Sequence, residues 1–212
     1  MPSSDFDEPL PAAVKLLVAG GFGAGKTTFV GSVSEIEPLT TEELITEASA
    51  GIDVLDGVEH KSTTTVAFDF GRITLGPEVV LYLFGTPGQE RYWFMWDELS
   101  RGVLAAIVLA DTRRLDACFA AVDFFEIRGI RFIIAVNEFD GACRYDPDEL
   151  RAALGLKPHV PVTACDARDR RSATAVLVAL VRHLMSSGGP GPGPSATTAL
   201  APVMPTTPGK LS

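Results

Sequence analysis

One stretch of the chain has residue types and spacing that suit the binding of a polyanion. The segment GGFGAGKTT fits the pattern G-x-x-x-x-G-K-[ST]. Glycines allow consecutive backbone N–H groups to wrap phosphates, because no Cβ blocks the approach and positive φ angles are accessible. In this pattern the lysine reaches the outer phosphates and the hydroxyl of the next residue ligates Mg²⁺. The residues expected to contact phosphate or metal are Gly20, Gly23, Ala24, Gly25, Lys26, Thr27 and Thr28.

The pattern needs a strand before it and a helix after it, and the sequence supplies both. The apolar run AVKLLVA predicts a strand at 13–19, and a helix is expected from Lys26 to about Ile36. Residues 65–75 alternate in a period of two, with Val66, Phe68 and Phe70 on the apolar face. Further strands are predicted at 78–84, 102–110, 131–137 and 159–165, with helices at 113–129, 147–154 and 172–185.

Strands that alternate with helices predict an α/β domain built on a mostly parallel, doubly wound sheet. The pattern gives six strands, one of them antiparallel, which is the fold class of the P-loop NTPases. Ligands of such sheets bind at the carboxyl ends of the strands.

The regions outside these elements are polar. Between Glu37 and Thr64, the pair Thr40 and Glu43 predicts a capping box that starts one short helix, and the rest is expected to be loop. We expect a flexible leader at 1–12, one domain at 13–186, and a disordered Pro/Gly-rich tail at 187–212, which is either a tether or dispensable.

Composition excludes several classes of function. The net charge of −9 and the pI near 4.8 argue against binding of nucleic acid or of anionic lipid. The three cysteines share no C-x-x-C spacing, so neither a disulfide framework nor a zinc site is indicated. No secretory signal, lipidation motif or membrane span is encoded, and we therefore expect a cytoplasmic protein with no direct membrane anchor.

Five motifs taken in order resemble the nucleotide-binding motifs of Ras-like small GTPases. They are GGFGAGKT, Thr65, GTPGQE, NEFD at 137–140 and CDAR at 165–168, and the resemblance covers residues 13 to about 186. The segment TTVAFDFG, followed by a strand and by F-x-T-P-G-Q, is most similar to the bacterial MglA-like and conservon-type GTPases.

The resemblance implies a guanine site. Asp140 would accept two N–H bonds from the guanine edge, and adenine would leave that carboxylate unpaired. Asn137 belongs to the same motif, and the backbone N–H of Ala167 would meet the guanine oxygen. Glu138 stands where the family has a lysine, which implies either weaker affinity or a side chain turned to solvent.

The resemblance also implies how the γ-phosphate is held. Thr65 would ligate Mg²⁺ together with Thr27, Gly88 would donate its N–H to the γ-phosphate, and Gln89 would orient the attacking water. The catalytic set is then Gln89, Lys26 and Thr65, and the cofactors are GTP or GDP and Mg²⁺.

Three departures from the family predict slow hydrolysis. Gly85 replaces the usual aspartate that holds a Mg²⁺ water, so magnesium is expected to be held loosely. Phe22 is bulky where Ras has a small residue, and it would crowd an incoming arginine finger. Thr64 stands where MglA has an arginine; Arg91 is the nearest replacement, although an exposed salt-bridging role is favoured for it.

The leading interpretation is a GTP-binding switch with low intrinsic GTPase activity that signals through its switch loops. The resemblance implies a Roadblock/LC7-type partner and possible involvement of a GAP or a sensor-kinase system. The aromatic cluster Trp93 to Trp96 is expected to pack as the apolar face of a helix, and part of it could contact a partner. The alternatives are a nucleotide-binding interaction module that does not cycle and a P-loop ATPase or small-molecule kinase.

Overall fold

The structure is a computed structural model that describes residues 11–37, 39–45, 64–88 and 92–186. Residues 1–10 of the leader predicted at 1–12 and the tail at 187–212 lie outside these residues, so the predictions made for them stay predictions, whereas Ala12 belongs to the first strand. Within the described ranges, no helix combines the length and the apolar character needed to cross a bilayer.

Strands and helices alternate along most of the chain. The strands are β1 (Ala12–Ala19), β2 (Leu39–Ile45), β3 (Thr64–Leu75), β4 (Val79–Gly85), β5 (Val103–Ala110), β6 (Phe132–Asn137) and β7 (Val162–Cys165). The helices are α1 (Lys26–Val33), α2 (Phe94–Ser100), α3 (Phe119–Ile127), α4 (Pro147–Ala153) and α5 (Arg170–Ser186). A short 3₁₀ helix, Leu115–Cys118, precedes α3.

The strands form one sheet in the order β2-β3-β4-β1-β5-β6-β7. The pairs from β4 to β7 are parallel, and β3 is antiparallel to both of its neighbours. The predicted α/β sheet with one antiparallel strand is therefore confirmed. The described sheet has a seventh strand because β2 occupies the position where Thr40 and Glu43 predicted a helix, and that helix prediction was wrong.

The hairpin of β3 and β4 turns at Gly76, whose φ of 67° suits glycine. The predicted alternation along β3 is present between Phe68 and Gly71, and the face opposite the two phenylalanines is the more buried one. Asp69 and Gly71 are buried, whereas Phe68 and Phe70 are only half-buried. A carboxylate in this position needs a polar partner.

Helices cover both faces of the sheet, and the alternation of side chains along β1 shows why. Leu16 and Val18 belong to one buried cluster, which α1 and α5 complete. Leu17 and Ala19 belong to the other, with Trp96 of α2 and Phe125 of α3. The nearly continuous apolar sequence of β1 follows from burial on both faces, and this rigid core positions the loops at the strand ends.

Phe125 is the centre of an aromatic cluster, and its removal tests this core. Its ring contacts those of Trp96, Phe124 and Phe132, and it is fully buried. We expect Phe125→Ala to lower the free energy of unfolding by about 3–5 kcal/mol, because a cavity forms. Phe94→Ala is the matched control, and since Phe94 is 64% exposed it should cost less than about 0.5 kcal/mol. Equal losses in urea denaturation would contradict this packing.

Candidate functional site

The loop GGFGAGKT (the P-loop) connects the carboxyl end of β1 to the first turn of α1. Gly20, Gly23 and Gly25 adopt φ angles of 139°, 75° and 99°. Gly25 is also the N-cap of α1. Lys26 and Thr27 begin this helix, so the loop amides and the helix N-terminus lie side by side, as anion binding requires. The predicted phosphate residues are therefore contiguous in space.

Several carbonyl groups of the P-loop accept hydrogen bonds from the side chains of Lys26 and Asn137. Lys26 Nζ donates to the carbonyls of Gly20 and Gly21 at 2.9 and 2.8 Å. Asn137 Nδ2 donates to the carbonyl of Ala24 at 3.0 Å. A peptide group that turns its C=O toward these donors turns its N–H the other way. The Ala24 N–H donates to the Gly21 carbonyl at 3.2 Å, whereas the N–H groups of the peptides held by Lys26 and Asn137 face away from these donors.

Lys26 is buried, and burial lowers the pKa of its ammonium group to about 8, while the Asp69 carboxylate opposes the shift. The side chain remains mainly protonated at pH 7. The two groups that accept its hydrogen bonds are neutral carbonyls. A bound phosphate would therefore give this ammonium group a charged hydrogen-bond partner.

Asp69 of β3 occupies the space that an acidic side chain at Gly85 would fill. A Cβ built on Gly85 would lie 2.8 Å from Asp69 Oδ2 and 3.1 Å from Asp69 Cβ. Gly85 does not have a positive φ, so steric room alone accounts for the glycine here. Asp69 Oδ2 accepts a hydrogen bond of 2.9 Å from the hydroxyl of Thr27. The Asp69 carboxylate of β3 therefore fills the space next to Gly85 of β4.

This pair of groups fits a magnesium ion, because Mg²⁺ prefers hard oxygen donors. Among the described residues, no three His, Cys, Asp or Glu side chains are placed to hold a metal jointly. Asp69 places a carboxylate beside the Thr27 hydroxyl. The expectation of loose magnesium binding stays a prediction.

The remaining residues assigned to the γ-phosphate are only partly described. Gly88 lies against the P-loop, and a Cβ on it would be 2.7 Å from Lys26 Nζ and 2.9 Å from the Phe22 nitrogen. The backbone of Thr65 lies in β3 opposite Leu44, and its side chain is not described. Gln89 and Arg91 fall outside the described residues, so their roles stay predictions.

Asn137 joins the P-loop to the segment that follows β7. Its Nδ2 donates to Ala24, and its Oδ1 accepts the N–H of Ala167 at 3.0 Å. Asn137 and Ala167 are both buried. The sequence assigned the Ala167 N–H to a guanine oxygen, but in this structure that N–H is bonded to Asn137. The side chain of Asn137 therefore connects the P-loop to the segment after β7, which the resemblance assigns to the base.

A cavity of about 540 Å³ opens beside these segments, in the size range of small-molecule sites. Its lining includes Asn137, Glu138, Asp140, Arg144, Asp166 and Arg168. Arg168 contacts both oxygens of Asp140 at 3.3 and 3.4 Å and also bonds to Asp166, so its pKa is raised, first by Asp166 and then by Asp140. Glu138, which replaces the family's lysine, pairs with Arg144 at 3.2 Å.

The aromatic cluster after the third motif divides between packing and exposure. Trp96 is buried, and its indole N–H donates to the Pro87 carbonyl at 3.1 Å. Trp93 and Phe94, at the start of α2, are 38% and 64% exposed. The packing prediction thus holds for Trp96 and fails for Phe94.

Sequence reasoning missed Asp69, although one signal was available. The strand has a single carboxylate, Asp69, between two phenylalanines, and Gly85 stands where the resemblance expects an acidic residue. Only the pairing of Phe70 with Phe84 shows that these two anomalies lie side by side.

A family model described as "Conserved hypothetical ATP binding protein" matches residues 18–187. The chain belongs to this family. It is also 32% identical over 101 residues to an uncharacterized protein of Methanocaldococcus jannaschii, a match that covers 48% of this chain and 53% of that protein. The chain thus spans about half the length of that curated relative.

Solved structures of G domains have the same fold. The G domain of the FeoB iron transporter from T. maritima gives a TM-score of 0.54 at 18% identity and covers 84% of this chain and 100% of its own. The FeoB G domain of Methanococcus jannaschii gives 0.54 at 14% identity, with coverages of 82% and 98%. The cytosolic domain of T. maritima FeoB in a GDP form gives a TM-score of 0.59 at 18% identity, and the match covers 84% of this chain and 65% of that domain. The predicted P-loop NTPase fold is confirmed.

The shared space of Asp69 and Gly85 makes a testable pair. We expect Gly85→Ala to lower the free energy of unfolding by about 1–3 kcal/mol, because its Cβ would overlap the Asp69 carboxylate. In an Asp69→Ala background the same change should cost much less, and the double-mutant cycle should show a coupling above about 1 kcal/mol. Additive effects in denaturant unfolding would show that the two positions do not compete for space.

Proposed function

We propose that the chain is a guanine-nucleotide-binding switch of the Ras-like type, close to the MglA-like and conservon-type GTPases, which binds GTP or GDP with Mg²⁺ and hydrolyses GTP slowly. The observation that carries this proposal is the pair of hydrogen bonds by which the Asn137 side chain links Ala24 to Ala167. It joins a phosphate-binding loop to the edge of a cavity that contains the Asp140 carboxylate. A nucleotide likewise joins a phosphate chain at one end to a base at the other.

The phosphate end of the proposed site depends on Lys26, the P-loop amides and the first turn of α1. Thr27 and Asp69 would hold the magnesium ion, directly or through water, and the ion would neutralise phosphate charge. Gly88 would donate its N–H to the γ-phosphate, Thr65 would ligate the metal and Gln89 would orient water. These three roles rest on the motif resemblance.

The base end decides between guanine and adenine. A carboxylate such as Asp140 accepts from both the N1–H and the 2-amino group of guanine, and adenine offers no such donor pair. Arg168 now occupies this carboxylate, so a base would have to displace or share it. The alternative is an ATP-binding protein, which the description of the family favours.

The switch loops would act through partners. Trp93 and Phe94 at the start of α2 are exposed beside the third motif, and such aromatic residues often anchor protein contacts. We propose a Roadblock/LC7-type partner, with a GAP supplying what hydrolysis lacks. A module that never cycles is the alternative, and equal partner affinity with GDP and with a non-hydrolysable GTP analogue would favour it.

Nucleotide competition tests the choice of base. We expect GDP to displace a fluorescent guanine nucleotide at least about 100-fold more effectively than ADP, because adenine leaves Asp140 unpaired. Asp140→Asn replaces one acceptor by a donor, so it should weaken GDP binding and favour xanthosine diphosphate, whose 2-carbonyl accepts that donor. Asp148→Asn, on the exposed first turn of α4, is the control, and it should change neither the affinity for GDP nor that for xanthosine diphosphate. Displacement by ADP as strong as by GDP would establish the ATP-binding alternative.

Single-turnover hydrolysis tests the proposed slow rate. The exposed ring of Phe22 and the lack of an arginine at position 64 predict a rate on the order of 10⁻⁴–10⁻² s⁻¹, comparable with unassisted relatives. Lys26→Ala should bind nucleotide too weakly for turnover to be detected. A rate of several per second for the purified chain would contradict the need for a partner.

A further inference from the structure

We propose that Arg114 is a positioning residue of the phosphate site, which fixes the peptide between Phe22 and Gly23 so that its N–H faces a bound phosphate chain. This inference rests on the proposed binding of a nucleotide phosphate chain by the P-loop. It assigns a role to a residue that belongs to none of the five sequence motifs.

Arg114 reaches the P-loop from a distant part of the chain. It is the residue before the 3₁₀ helix that follows β5, and its Nη2 donates to the Phe22 carbonyl at 2.8 Å. A Cβ placed on Gly23 would lie 3.1 Å from the same nitrogen. The guanidinium therefore packs against this one peptide group, and the absence of a side chain at position 23 gives it room.

The geometry of a peptide bond converts this contact into a constraint on an N–H group. The peptide is planar and trans, so the Gly23 N–H points opposite to the Phe22 carbonyl. A charge-assisted bond to the carbonyl restricts rotation of the whole peptide plane. It also polarises the group, and a polarised peptide is a stronger donor at its N–H. Arg114 would thus improve both the aim and the strength of this amide.

Arg114 adds a third side chain to those that donate to carbonyls of the loop. Lys26 holds the carbonyls of Gly20 and Gly21, and Asn137 holds that of Ala24. Without Arg114, the Phe22 carbonyl would lose the donor that this structure gives it. Gly23, on one side of this peptide, offers little resistance to its rotation, so an external constraint has a large effect here.

A buried carboxylate keeps Arg114 in place and supplies a matched control. Asp111 is 3% exposed, and the hydrogen bonds of Arg113 hold the pKa of its carboxyl below the usual range, so it is ionised. Arg114 Nη2 lies 3.7 Å from this carboxylate. Arg113 binds it more closely, at 2.8 Å, and stacks on Phe139 rather than reaching the P-loop. The two arginines share charge and anchor but differ in their contact with the loop.

The experiment compares nucleotides that have and lack the outer phosphates. Affinities of GDP and GMP are measured by competition for wild type, Arg114→Ala, Arg114→Lys and Arg113→Ala, with the unfolding temperature of each nucleotide-free protein. We expect Arg114→Ala to weaken GDP about tenfold and GMP less than about twofold, because one charged hydrogen bond behind a phosphate-facing amide is lost. Arg114→Lys should retain most of the GDP affinity, and Arg113→Ala should leave the ratio of GDP to GMP affinity unchanged.

Two results would overturn the inference. Equal weakening of GDP and GMP by Arg114→Ala would mean that the residue only supports the fold, and an unchanged GDP affinity would mean that the contact has no role in binding. Should wild type bind ADP rather than GDP, the guanine proposal fails alone, and the same comparison with ADP and AMP tests Arg114. If Arg114→Ala does not fold, a selective loss of GDP over GMP affinity in Arg114→Gln decides the question.

Discussion

The site depends on how the P-loop satisfies its peptide groups. A loop that offers its N–H groups to an anion must turn its carbonyls away from that anion, and each carbonyl inside a protein needs a donor. Here the donors come from three separate parts of the chain: Lys26 serves Gly20 and Gly21, Arg114 serves Phe22, and Asn137 serves Ala24. The loop conformation therefore depends on these side-chain donors, and the glycines with positive φ permit it. Because β5 and β6 deliver two of these donors, the order of the sheet and the shape of the loop are linked.

A second constraint concerns side-chain volume between β3 and β4. A Cβ at Gly85 would lie 2.8 Å from Asp69 Oδ2 and 3.1 Å from Asp69 Cβ, so a side chain at Gly85 would have to displace the carboxylate that arrives from the neighbouring strand. Asp69 keeps the hydrogen bond to Thr27 that orients its hydroxyl. The same charge thus reaches the same region from a different strand. This explains how a motif can lack its acidic residue and still keep a site suited to a divalent cation.

The choice of base is the point at which resemblance and family description differ. The family description refers to ATP, whereas the motif resemblance assigns the two carboxylate oxygens of Asp140 to the donors of guanine. The structure adds a competing group, since Arg168 holds Asp140 and Asp166 together at the edge of the cavity. An ion pair this exposed is worth little by itself, so a base with two donors could exchange with it at small cost. The shared fold with FeoB G domains does not decide the base, because a fold supports many ligands.

The sequence by itself determined the architecture and the phosphate loop. Apolar runs of strand length, alternating with amphipathic helices, specify a mostly parallel sheet, and GGFGAGKT specifies a P-loop because its glycines and lysine act within nine residues of one another. Sequence did not show β2, because Leu39–Ile45 is polar and forms a strand only through its pairing with β3. It did not show that the face of β3 with Asp69 is the more buried one, because the polar partner of Asp69 is Thr27, which is distant in sequence. Likewise, Arg114 and Phe22 are separated by 92 residues, and no local pattern predicts their contact. Local periodicity determines elements, whereas the partner of each buried polar group depends on which distant segments the sheet brings together.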